Sequence, residues 1–320
     1  MSWQKSIIKE EKLIKKALHH FLPFFFAVGF ATHDGSQVWA MKATLHHETP
    51  VAQSDLNERF LSYVANAQKA TDAVDAIRSV LAAGANVGSQ DQRGDTALHL
   101  AAICGSLAVV QLLLVHISQL SRGAARTLIN AKDHFGWTAL HCTVRFYNPN
   151  SDQIVQALLA AGADARISTF EKLMPLHMAI MYEHYNIVTQ LLADARVRTK
   201  LTSLANHRRT LLHYAASHRD ALFVQAILTA LAEILEPHTD AMCAIVNAQE
   251  SEAGYTALHI AATEGNGDVV QALLDAGADA SIQNFSDQTP AELARYNGHS
   301  EVAAMLEEHI QGHPEQHTRK

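Results

Sequence analysis

The chain has 320 residues, 48% of them hydrophobic, and a formal net charge of −7. That is apolar enough for a packed core, and an acidic balance without a long basic run argues against a nucleic-acid partner. The three cysteines, Cys104, Cys142 and Cys243, are odd in number and lack paired spacing. They point to a reducing compartment, the cytoplasm, rather than to a disulfide scaffold.

Residues 4–22 predict a helix with Ile7, Ile14, Leu18 and Phe21 on one side. The apolar run at 21–31 (FLPFFFAVGFA) is too short to span a bilayer as a helix. As a signal peptide it would have a suitable apolar length, but the segment before it is long and carries Glu10 and Glu11. Asp34-Gly35 is a favoured two-residue hairpin turn. Its register pairs Phe30 with Trp39, Val28 with Met41 and Phe26 with Ala43, all on one face. A helix plus hairpin of this size cannot hold a core alone, so residues 1–53 are expected to dock on the segment that begins at residue 54.

From residue 54 onward one pattern repeats. Its clearest copy is 254–280 (GYTALHIAATEGNGDVVQALLDAGADA): a Thr that can cap a short helix, a Gly that ends it, and a second helix striped by Val269, Val270, Leu273 and Leu274. The opening signature returns as Thr96-Ala97-Leu98-His99, Thr138-Ala139-Leu140-His141, Met174-Pro175-Leu176-His177 and Thr210-Leu211-Leu212-His213. A last copy, Thr289-Pro290-Ala291-Glu292, replaces His with Glu. Residues 54–90 read as a worn first copy, with Phe60, Leu61 and Val64 on one helix and Val74, Ile77, Val80 and Leu81 on the next.

On these residues the chain resembles the ankyrin-repeat proteins, whose unit is about 33 residues with a T-P-L-H-x-A signature. The resemblance implies an all-α solenoid of about seven repeats over 54–310, followed by a disordered tail at 311–320. The motif histidines are unevenly spaced: 42 residues from His99 to His141, 36 to His177, 36 to His213 and 46 to His259. The excess over one unit falls after the second helix of repeat two, in the turn at 147–151, after Leu192, and at 229–246, where Leu231, Ile234 and Leu235 prolong a helix before Pro237. Such insertions sit in loops, because each repeat contacts only its neighbours.

Twenty histidines raise the question of metal or catalysis. In ankyrin repeats the motif residue joins hydrogen bonds between turns, which gives His99, His141, His177, His213 and His259 a structural role. The pairs His19-His20 and His46-His47 have no partner set at zinc-ligand spacing. No H-E-x-x-H, Lys-terminated phosphate loop or G-x-S-x-G elbow is present. Cys142 follows His141, but consecutive helix residues diverge by about 100° and make a poor dyad; Cys104 reads as a surface thiol. No metal, cofactor or catalytic group is therefore expected.

The resemblance places binding on the finger loops and on the inner face of each first helix. There Phe135, Trp137, Phe146, Phe170, Met181 and Tyr182 are expected to form one patch, with Arg145 and Arg209 at its edge. Aromatics with Arg are the usual composition of interface hot spots. The competing reading is that Phe146 and Phe170 fill space left by Lys172, where the motif wants Gly, and by the altered turn at Asn148-Pro149. The expected function is non-catalytic recognition of a partner protein on the concave face, by a monomer without a membrane span. The irregular insertions also resemble ankyrin proteins that intracellular bacteria deliver into host cells, which would place the chain in a host cytosol. The alternative is an enzyme whose site forms between the N-terminal segment and the repeats, though that segment supplies no nucleophile, acid–base pair or metal set.

Overall fold

The computed structural model describes residues 53–67, 72–202, 208–235 and 239–312. All belong to one continuous unit, Pro50–Lys320. The helix at 4–22, the apolar run at 21–31 and the hairpin around Asp34-Gly35 lie outside the described residues.

The regular structure of the described residues is entirely helical, apart from an isolated bridge between Gln90 and Thr96. Seven helix pairs follow one another: α1 (Gln53–Ala65) and α2 (Ala73–Ala82), then α3 (Ala97–Cys104) and α4 (Leu107–Ser118) with an added α5 (Arg122–Ile129). The third pair is α6 (Ala139–Arg145) and α7 (Ser151–Ala160). The fourth is α8 (Pro175–Met181) and α9 (Tyr185–Ala193), with a single-turn α10 (Ala195–Arg198). The fifth is α11 (Leu211–Ala215) and α12 (Leu222–Ala232), with an added α13 (Asp240–Val246). The last two are α14 (Ala257–Glu264) with α15 (Gly267–Asp275), and α16 (Pro290–Tyr296) with α17 (Ser300–Gly312).

Helices of this length are marginal alone, so packing must hold them. The first helices pack in one row, α1, α3, α6, α8, α11, α14 and α16, and the second helices in a parallel row. Leu113, Ile154, Leu158, Ile187 and Leu191 of the second row, and Leu140, Leu176 and Ile180 of the first, are fully buried between them. Truncating any of these leucines to Ala should cost about 2–5 kcal/mol.

Two sequence expectations are corrected. The long insertions are not loops: the excess after α4 folds as α5, whose N-cap Ser121 accepts the Ala124 amide, and the excess after α12 folds as α13, capped by Thr239. The final helix also runs to Gly312, past the expected start of a tail.

The motif histidines tie each repeat to the next. In His99, His141, His213 and His259, Nδ1 accepts the backbone N–H of the N-cap Thr at 3.1–3.2 Å. That fixes the proton on Nε2, which donates to a finger carbonyl of the following repeat: Trp137, Leu173, Tyr255 and Gln288 respectively, at 3.0–3.1 Å. His177 departs from the shared role. Its Nδ1 accepts from Met174 N–H at 3.2 Å, but its Nε2 is buried without a partner among the described residues, and its ring packs perpendicular to that of Tyr214, with the centroids 5.7 Å apart. At Glu292 the same post is filled by a capping box, its carboxylate accepting Thr289 N–H at 2.7 Å.

Candidate functional site

The finger loops at 91–95, 133–137, 169–173, 250–255 and 284–288 are each pinned by a polar side chain near their start. Asp133 Oδ1 accepts the amides of Phe135 and Trp137 at 2.8 and 2.7 Å. Asp91 holds Arg93 and Asp95 in the same way, Glu250 holds Glu252, Ala253 and Tyr255, and Asn284 holds Ser286 and Gln288. In the fourth finger only the Thr169 hydroxyl remains, accepting from Leu173 at 3.3 Å. The loop then turns through a left-handed residue. Gly136 serves in the third finger (φ 79°), and Lys172 takes the same conformation in the fourth (φ 59°), despite its side chain. A Cβ at Gly136 would stand 3.0 Å from the Phe170 amide nitrogen, so the two fingertips touch here. The Phe170 amide also donates to Phe135 O across the gap, at 3.4 Å.

This scaffold sets four of the eight predicted site residues side by side. Trp137, at the base of its finger, lies 6.4 Å from the Phe146 ring at the end of α6. The Arg145 guanidinium carbon sits 5.6 Å from the Phe146 ring centre and 4.9 Å from that of Tyr182, which belongs to the next repeat. Phe146 is 41% exposed, while Trp137, Arg145 and Tyr182 are half-buried. Burial pushes the Tyr182 phenol above its ordinary range, and Arg145 opposes that shift. Phe135 and Phe170 are more exposed, at 50% and 71%, and lie at the fingertips; Met181 is half-buried at the end of α8.

Arg209 is not an edge residue. It is 6% exposed and its guanidinium lies 3.5 Å from Glu252 in the next finger, so it serves the stack. Cys104, read from sequence as a surface thiol, is half-buried, and its Sγ donates to Ala65 O at 3.1 Å. The structure adds two residues that the sequence reading missed. Tyr147, 45% exposed, stacks on His184 of the next repeat at 4.1 Å, and His184 in turn lies 6.2 Å from Tyr182. The signal lies in the α6–α7 turn, where Tyr147 opens a three-residue expansion that brings it onto this face.

The opposite face differs in character. Two open grooves of about 800 and 450 Å³ flank α12, one against α15 and one against α9, with Leu222 lining both. Their walls are mixed, with Asp220, Asp268 and Asp275 in the larger and Tyr185, Arg198 and Glu233 in the smaller. Among the described residues no three His, Cys, Asp or Glu side chains converge as a metal site, and no helix is long and apolar enough to cross a membrane. Burial lifts the Cys142 thiol well above its usual value, which keeps it from acting as a thiolate beside His141.

Family models of ankyrin repeats match residues 61–169, 146–241 and 246–294. The chain belongs to the ankyrin-repeat family. It is 40% identical over 127 residues to human NF-kappa-B inhibitor delta, covering 39% of this chain and 37% of that protein. The mouse B-cell lymphoma 3 protein homolog is 26% identical over 276 residues, covering 85% of this chain and 56% of that one. The chain thus spans only a part of these relatives' own length. The solved ankyrin domain of Bcl-3 superposes with a TM-score of 0.57 at 24% identity, covering 77% of this chain and 97% of that one. The human ASB11 ankyrin repeat domain gives 0.55 at 21%, covering 77% and 96%. Both show the shared fold.

Proposed function

We propose that this chain is a non-catalytic recognition module that holds a partner protein on the face made by the fingers and first helices of repeats three and four, the concave face of the ankyrin fold. The observation that carries this reading is the contiguous cluster of Trp137, Phe146, Arg145, Tyr182 and Tyr147, built across two repeats and open to solvent. Large rings and an Arg in one patch are the residues on which binding energy concentrates. The family of relatives supports a protein partner, and one of them is named as an inhibitor of another protein. We place the chain in the cytoplasm, in keeping with three free thiols. Delivery into a host cell gains no support from the human and mouse relatives.

The test is co-purification from cells with tagged wild type, Trp137→Ala, Tyr182→Ala and Gln271→Ala. Gln271 lines the groove on the opposite face and serves as the control. Truncating a central anchor typically costs 2 kcal/mol or more, roughly thirtyfold in affinity. Both aromatic variants should lose the partner while melting close to wild type, and the control should keep it. A partner retained by both aromatic variants and lost from Gln271→Ala would move the recognition face to the second-helix row.

A further inference from the structure

Arg145 is the cation at the centre of this face. Its guanidinium lies near two rings, Phe146 of its own repeat and Tyr182 of the next, which hold the charge in place. Yet it makes no ion pair and no hydrogen bond to any described residue. Several arginines elsewhere in the stack are matched to carboxylates, among them Arg166 with Asp164, Arg196 with Asp194, Arg198 with Glu233 and Arg209 with Glu252. A ring-stacked guanidinium keeps its N–H edge free for a planar acceptor, because stacking uses the faces of the group and hydrogen bonding uses its rim.

We propose that the partner presents an acidic side chain, Asp or Glu, to the Arg145 rim, with an adjoining apolar side chain seated on Trp137 and Phe146. The inference rests on the reading of this face as the recognition surface. A carboxylate fits better than a phosphate. The fork of one guanidinium matches one planar acceptor, and a singly charged carboxylate meets less repulsion than a dianion from Glu171, whose charge acts on Tyr182, and from Asp152 and Glu183, whose charges act on His184.

The experiment uses the full chain as bait for a phage-displayed library of random peptides about twelve residues long. Selected peptides are then synthesised and measured by fluorescence anisotropy against wild type, Arg145→Gln, Arg145→Lys, Trp137→Ala and Gln271→Ala. The selected set should carry Asp or Glu beside Leu, Phe or Trp. Arg145→Gln should weaken binding about tenfold or more, Arg145→Lys should weaken it less, and binding should loosen as salt rises from about 50 to 300 mM. Gln271→Ala should bind as wild type does. Should Arg145→Gln fold poorly, the Arg145→Lys variant and the salt series carry the test. Peptides without acidic residues that need Trp137 but ignore Arg145 overturn this inference and leave the recognition face standing. Peptides that ignore both residues overturn the two together, and failure to enrich any peptide overturns the inference as well.

Discussion

Acid should unfold the array through its buried histidines. His141, His213 and His259 are held down to about 4, and His177 to about 3, in each case first by burial. His99 is lowered by the same cause. The geometry agrees, since Nδ1 of each ring accepts a backbone N–H and protonating it would set two donors face to face. The sign follows from linkage. Above about pH 7.5 these rings are neutral in both states and contribute almost no slope; below it the unfolded chain takes up protons that the folded chain refuses, so stability falls as pH falls toward 4. Asp95 works against them. Burial raises its carboxyl to about 6, so the folded state holds its proton first and gains stability between about pH 6 and 4. At pH 5.5 the four histidines with stated values and Asp95 together leave the unfolded state ahead by roughly three protons, or about 4 kcal/mol per pH unit. Urea titrations at pH 7.5, 6.5, 5.5 and 5.0 read that slope directly. A stability that stays flat or rises between pH 6.5 and 5 would refute the assignment of neutral, hydrogen-bonded rings.

Replacing His213 with Ala leaves Thr210 N–H without its acceptor and removes one of the two N–H donors to Tyr255 O, which keeps Glu250 N–H, and should cost about 1–3 kcal/mol by urea melts. His177→Leu should cost less than His213→Ala in the same assay, because its Nε2 already lacks a partner and only Met174 N–H loses its acceptor. Gly136→Ala should cost at least about 1 kcal/mol, through left-handed strain and the approach to Phe170. Lys172→Gly should instead stabilise by up to about 1 kcal/mol, by relieving the same conformation. Thermal melts of that pair will show opposite signs.

The repeat frame was legible in the sequence because one motif fixes several physical requirements at once. Thr256 is a cap, Leu258 a core residue, His259 a tie and Gly265 a left-handed stop, and the structure places each accordingly. Where one residue breaks the motif, the reading followed type instead of environment. His177 was grouped with its four counterparts, although the finger it should reach turns through Arg208 rather than Gly. Arg209 occupies a finger position of the motif, which predicts exposure, yet a carboxylate one finger away offsets the cost of burying it. The insertions carried their own helix caps, Ser121 and Thr239, which a count of excess residues cannot reveal. The Trp137–Phe146–Arg145–Tyr182 contacts follow from repeat spacing, since equivalent positions on neighbouring repeats stand about one helix-packing distance apart. The Tyr147–His184 stack depends on how the expanded turn folds back, and no periodicity encodes that.

Recognition through the fingers and first helices, rather than through the second-helix row, is the choice on which the functional reading stands. Hydrogen–deuterium exchange of the chain, free and saturated with the co-purified partner, decides between the two faces. New protection should appear in peptides covering 133–147 and 169–184, the third and fourth fingers with α6, α8 and their turns, and none on α12 or α15. Protection confined to Leu222–Ala232 and Gly267–Asp275, the helices that flank the larger groove, would contradict it.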